Sequence, residues 1–194
     1  MIDMKKTLFS IRSYTPLPFL LVMVVFASPS FWSVLTGFCI AAAGESIRFW
    51  GVSIAGSETR TTGQVGGSRL IVCGPYAFVR NPLYIGNIIL YTGLGIMANA
   101  LAPWLVIVAV FFFIFQYYMI VRGEEEFLAN KFGEEFRVYC KNVPRFFPRI
   151  KPWSTGLQHD QNAEFSRGFK SERRTLQAFS LVGLVIITLW MLRN

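Results

Sequence analysis

Charge is what this chain has least of. Only 15% of its 194 residues are charged and 11 are acidic, against roughly one-quarter charged in ordinary soluble domains. With 53% hydrophobic and 16% aromatic residues alongside, that shortage excludes a typical water-soluble domain and points to a membrane protein. Histidine and cysteine are almost as scarce. The single histidine, His159, lies in a polar stretch far from Cys39, Cys73 and Cys140, and no two of these cysteines have CxxC spacing. No metal site is therefore expected, nor a Cys/His or Ser/His catalytic pair. Solenoid-period repeats and low-complexity tracts are also missing. The length suits a single membrane domain over 1–194, with no room for a separate soluble dinucleotide-binding domain. A net charge of +8 would suit nucleic acid only if the basic residues clustered on a polar module. Here they flank apolar runs, so no nucleic-acid partner is expected.

What is present is a series of apolar runs. The expected fold is an all-α, multi-pass helical bundle of about five transmembrane helices, spanning 13–27, 31–50, 82–97, 102–118 and 176–192. The run 31–50 has the 20 residues that span a bilayer core of ~30 Å, whereas Pro16 and Pro18 interrupt the first. Pro29, just after the best cleavage point, and the immediate second run argue for a retained span rather than a signal peptide. A glycine-rich loop, 56–79, carries Gly63, Gly66, Gly67 and Gly74. Between Arg122 and Cys140, Leu128, Phe132 and Phe136 recur every four residues among charges, which predicts a cytoplasmic amphipathic helix over 122–140 lying against the membrane surface. A cytoplasmic loop and basic segment fill 141–175. With the amino terminus inside, only Arg193 of the 19 basic residues falls outside. That asymmetry orients the polar loops, and any active site on them, toward the cytoplasm, at the inner membrane in a bacterium.

Three stretches are able to carry chemistry. In GPYAFVRNPLYIGN (74–87) a turn passes directly into an apolar helix. Pro82 suits the first helical position, Asn81 is a favoured cap, and the unpaired helix amides beside Arg80 would attract an anion. Tyr84 lies one turn inside, and Gly86 permits close approach of a ligand or a neighbouring helix. A well-capped membrane helix with interfacial Arg and Tyr explains the same pattern without any ligand. The second stretch begins Arg122-Gly-Glu-Glu-Glu. Glu124, Glu125 and Glu126 cover most of one helical turn, so at least one faces the bundle mouth. There they would bind a cationic sulfonium, an amine or ribose hydroxyls, unless they form only a solvated acidic face. Third, Glu45 and Arg48 share one face of the second span. Ionisable groups in a span turn toward a polar interior, as an ion pair or as catalytic residues, with Arg48 orienting an acceptor and Glu45 taking a proton. Gly37, Ala41 and Gly44 in that span suit close helix packing.

Taken in order, GESIRFWGVSIAG, GPYAFVRNPLYIGN, a helical hairpin, GEEEFLANKFGEEFRVY and VPRFFP resemble the isoprenylcysteine carboxyl methyltransferase family and its phospholipid-methyltransferase-like relatives. In that family an Arg-His-Pro-x-Tyr-x-Gly segment and a Glu-Glu pair bind S-adenosylmethionine. The resemblance implies the same cofactor here, held by Arg80, Asn81, Pro82, Tyr84, Gly86, Glu124 and Glu125. Asn81 stands where better-known members have histidine, so no imidazole base is available at that position. The implied function is methyl transfer to a lipophilic or lipidated acceptor, carboxylate or amine, within membrane lipid. Two readings compete with it. One is an NADPH-dependent membrane reductase of the sterol-reductase-like type, opposed by the acidic turn, since phosphates favour a basic pocket. The other is a non-catalytic scaffold or lipid-binding protein, in which Glu45, Tyr84 and Glu125 would not share a cavity.

Overall fold

A computed structural model describes residues 4–56, 69–156 and 162–193; Gly63, Gly66, Gly67 and His159 lie outside the described residues. Among the described residues the chain is all-helical: α1 (Met4–Ile11), α2 (Pro16–Val25), α3 (Phe31–Ala55), a 3-10 turn (Gly74–Ala77), α4 (Pro82–Ala98), α5 (Trp104–Asn142) and α6 (Phe165–Arg193). Three helical segments, Phe31–Ala55, Trp104–Asn142 and Gly168–Arg193, are long and apolar enough to cross a membrane, the mark of an integral membrane protein. The apolar α2 and α4 are shorter.

The helix α3 starts where Ser30 and Ser33 close a reciprocal capping box. Its small residues then bring it against α4 at backbone distance. A Cβ added at Gly44 would sit 2.5 Å from Leu90 N and 2.7 Å from Gly86 O, and one at Gly86 would sit 2.6 Å from Arg48 Cγ. Gly37 and Gly93 face Met97 and Ala41 backbone atoms in the same way. The close approach expected at Gly86 is thus made by a helix, not by a ligand. At the far end of the pair, Ser28 N donates to Ala98 O and Asn99 Nδ2 to Ser28 O, so the α2–α3 connection is tied to the end of α4.

Several helix boundaries differ from the hydropathy pattern. The run 13–27 opens as a turn, and Pro16 occupies the first position of a ten-residue α2 preceded by a separate α1 packed on α5. The helix expected separately at 122–140 continues from α5, which covers 39 residues in two helical stretches joined by a kink at Gly133. About half of that length extends past the apolar portion as a charged extension beginning at Arg122. Its only non-helical residue is Gly133, at φ 53°, a backbone region that glycine enters without steric cost. Its apolar stripe, Leu128, Phe132 and Phe136, packs not on a membrane surface but on Leu70, Val72 and Trp153. The basic segment before the last apolar run is also helical, since α6 begins at Phe165. Gly168 packs on Ser53 near the end of α3, and Glu164 N donates to Ser53 O.

If the α3–α4 contact sets the bundle geometry, Gly93→Ala should lower the thermal unfolding midpoint in detergent by several degrees, since overpacking against backbone costs about 1–3 kcal/mol. The control Gly156→Ala, whose Cβ would meet nothing within 4 Å, should leave it unchanged.

Candidate functional site

The turn that precedes α4 is held from outside by the segment that follows α5. Arg80 N donates to Pro144 O, Arg149 N to Phe78 O and Trp153 N to Ala77 O, while Tyr139 Oη donates to Tyr76 O at 2.7 Å. Two motifs far apart in sequence, GPYAFVRNP and VPRFFP, thereby form one unit. Gly74, at φ 56°, lets the turn approach α3, where a Cβ would collide with Ile54.

Beside this unit lies a cavity of about 710 Å³, within the range of about 300–1,000 Å³ that holds a drug-sized ligand. Its wall at the turn is polar. Tyr84 Oη donates to Glu124 Oε1 at 2.7 Å. Arg80 Nε donates to Glu125 Oε1 at 2.9 Å, and its Nη1 to the carbonyls of Cys140 and Val143 at 2.9 and 2.6 Å. Arg145 Nε donates to the other Glu125 oxygen at 3.0 Å. Asn81 makes no side-chain cap on α4; its Nδ2 reaches Arg145 O at 3.2 Å. The expected anion site at this helix start is therefore already furnished with a carboxylate of the chain itself, Glu125, between two arginines. Glu124 differs from its neighbour. Burial outweighs the hydrogen bond from Tyr84 and the charge of Arg12, and pushes its pKa up to about 7. Tyr76 also lines the cavity, and its buried hydroxyl has no hydrogen-bond partner among the described residues. Burial raises its pKa further above the ordinary tyrosine value, so it stays a hydrogen-bond donor.

One turn deeper along α4, Asn87 meets a second polar cluster. Arg48 Nη2 donates to both oxygens of Glu172 at 2.9 Å and reaches Thr175 Oγ1 at 3.4 Å. Its Nη1 donates to Asn87 Oδ1, and its Nε lies 3.3 Å from Glu45 Oε2. Glu172 is fully buried. Beyond this cluster the cavity wall is apolar, with Leu90 and Leu94 of α4 facing Phe179 and Val182 of α6 and Leu17 and Leu20 of α2.

Of the residues expected from sequence, Arg48, Arg80, Asn81, Pro82, Tyr84, Glu124 and Glu125 line this one cavity. Gly86 is consumed by helix packing and Glu45 lies behind Arg48 rather than in the wall. Arg48 was expected to orient an acceptor; its Nη1 and Nη2 serve Asn87, Glu172 and Thr175 of the chain itself. Sequence reasoning missed Tyr76, Asn87, Arg145 and Glu172. Asn87 left a usable signal, a lone amide inside an apolar helix, and so did Glu172, a lone acid in the basic run SRGFKSERR.

A phospholipid methyltransferase family model matches residues 32–135, just over half of the chain. The cobalt-zinc-cadmium resistance protein CzcN of Cupriavidus metallidurans is 34% identical over 117 residues, 60% of this chain and 48% of that protein. The nickel-cobalt-cadmium resistance protein NccN of Alcaligenes xylosoxydans xylosoxydans is 34% identical over 95 residues, 47% of this chain and 43% of that protein. The matched part of the chain thus spans about half the length of either relative or less, and no solved structure matches. With the family match covering α3, α4 and most of α5, which supply much of the cavity wall, the chain belongs to the phospholipid methyltransferase family.

Proposed function

We propose that the protein transfers a methyl group from S-adenosylmethionine to a lipophilic acceptor. The observation that carries this reading is the single cavity, polar where the turn, α4 and α5 meet and apolar where α4 faces α6. A nucleoside and a lipid chain fit its two ends. The residues present suit the donor: a buried hydroxyl at Tyr76 with no hydrogen-bond partner among the described residues, and a carboxyl at Glu124 whose pKa burial raises, so that a bound cation would favour its ionised form. Bound there, S-adenosylmethionine would supply a methyl group already activated on a sulfonium. The chain's own tasks are then alignment, exclusion of water and charge compensation. Tyr84 orients Glu124 toward the positive charge. Arg80 and Arg145 hold Glu125 and with it the floor of the site, and Asn81 binds the carbonyl of Arg145, in the segment that follows α5, rather than acting as a base.

In the membrane, α2, α3, α4, the apolar half of α5 and α6 form the five passes of this reading. Nearly all basic residues then share the cytoplasmic side with the site, as the positive-inside rule requires. The curated relatives are named for resistance to cobalt, zinc, nickel and cadmium. A role of that kind would reach this chain through a change in a membrane-borne acceptor.

Calorimetry on detergent-purified protein should detect binding of S-adenosylmethionine and none of NADPH. The reverse result would replace this reading with the reductase one. Because Glu124 is neutral below pH 7 and ionised above it, donor affinity should rise about tenfold from pH 6 to pH 8, following the ionised fraction. Glu124→Gln should abolish that rise. Tyr76→Phe should weaken donor binding roughly 2- to 10-fold, the worth of one hydrogen bond of about 0.5–1.5 kcal/mol, with the unfolding midpoint unchanged.

A further inference from the structure

We infer that the segment 144–153 is an interfacial anchor, whose outer side, with Phe147 and Ile150, docks on the headgroup layer of an anionic membrane leaflet. The depth of the segment follows from its attachments. Backbone hydrogen bonds join Pro144 to Arg80, Arg149 to Phe78 and Trp153 to Ala77, all just ahead of Pro82, where the apolar α4 begins. On α5, the Arg145 guanidinium lies 6.0 Å from the ring of Tyr118 and binds Glu125. The segment therefore sits where one apolar helix starts and another ends. Trp50, near the end of α3, approaches the Phe78 ring at 6.1 Å. Trp50 and Tyr118 are both exposed, as aromatic residues are at a membrane–water boundary. The charged extension of α5 does not carry the segment away from that level. Arg80 binds both Glu125 and the carbonyl of Cys140, which a straight helix would set about 22 Å apart. The helix thus doubles back at Gly133, its one non-helical residue.

At that level two large apolar side chains are left uncovered. Phe147 is 86% exposed and Ile150 97%, whereas Trp153 turns inward onto Tyr139. Pro144, Pro148 and Pro152 restrict the backbone around them, so the pair is held outward by the chain itself. Charge identifies what covers it. From Lys141 to Trp153 the sequence has four basic residues, Lys141, Arg145, Arg149 and Lys151, and no acidic one. Arg145 is engaged with Glu125 and Arg149 Nη1 donates to Asn142 O, while Lys141 and Lys151 are exposed. An apolar pair rimmed by cations matches the edge of an anionic leaflet, with hydrocarbon for Phe147 and Ile150 and headgroup charge for the lysines. A zwitterionic leaflet offers the apolar contact without the counter-charge. An acidic soluble partner would have to displace the headgroups that already stand at this depth.

To test this contact, Ile150→Cys in a Cys39→Ser background is labelled with an environment-sensitive fluorophore and reconstituted into phosphatidylcholine vesicles with or without phosphatidylglycerol. The Cys39→Ser chain labelled in parallel serves as the blank. With phosphatidylglycerol the emission should shift to the blue and be quenched by lipid carrying a nitroxide at a shallow acyl position. Without it both effects should be smaller, and salt at about 1 M, where the screening length is ~3 Å, should remove the difference. Lys141→Gln and Lys151→Gln should each lower the ratio of docked to free label about fivefold, the worth of one basic residue near an anionic surface. The same fluorophore at Glu134→Cys, beside the kink of α5, should report water in both vesicles. A label at position 150 that reports water in both, or that enters both equally, overturns the inference, as does an equal lipid response at position 134. Emission that follows the protein-to-lipid ratio instead of lipid charge assigns the face to a second copy of the chain and overturns it too. No donor or acceptor is present, so this result is independent of the methyl-transfer reading.

Discussion

A guanidinium drawn into a membrane helix bundle has to be enclosed by counter-charge, and Arg48 imposes that demand on everything around it. Glu45 answers from the same helix, Asn87 from α4, and Glu172 with Thr175 from α6. Three helices are thereby fixed against one another at the depth where a cavity opens. The same constraint explains why α6 starts well before its apolar run: the charged turns around Glu172 must be helical to bring a carboxylate to Arg48. The glycine contacts between α3 and α4 make this possible, because they hold Arg48 and Asn87 on adjoining faces.

The apolar core of the fold was legible because membrane packing leaves a plain mark in sequence. Gly37, Ala41 and Gly44 were readable as a close-contact face, and α3 and α4 meet there. Helix ends were less legible, since hydropathy reports where a helix leaves lipid and not where it stops. Residues 122–142 include five Glu, two Lys and two Arg, all compatible with continuing a helix, so α5 runs on past its apolar portion. Its stripe of Leu128, Phe132 and Phe136 is a true amphipathic face, but periodicity alone does not distinguish a membrane surface from the segment around Leu70 and Val72 that covers it.

The site was legible to the extent that its residues sit in short ordered motifs. Arg80, Tyr84, Glu124 and Glu125 fall together in one cavity wall. What stayed hidden is who neutralises whom. Glu125 was read as a ligand-binding acid, yet Arg80 and Arg145 hold both of its oxygens, while its neighbour Glu124 keeps a raised pKa. Arg48 and Glu172 are separated by 124 residues, and no local pattern announces such a pair. Tyr76 was invisible for another reason: what singles it out is a buried hydroxyl with no hydrogen-bond partner among the described residues, which no sequence pattern announces.

The central claim is that one cavity brings a charged nucleoside donor and a membrane-borne acceptor together for methyl transfer. It is tested most directly by incubating the protein with membrane lipid extract and S-adenosylmethionine carrying an isotopically labelled methyl group, then following the label by mass spectrometry. The account predicts label in an organic-soluble product, formed by wild type and lost in Glu124→Gln. Label that stays wholly in the donor, in a preparation that binds the donor, would contradict it.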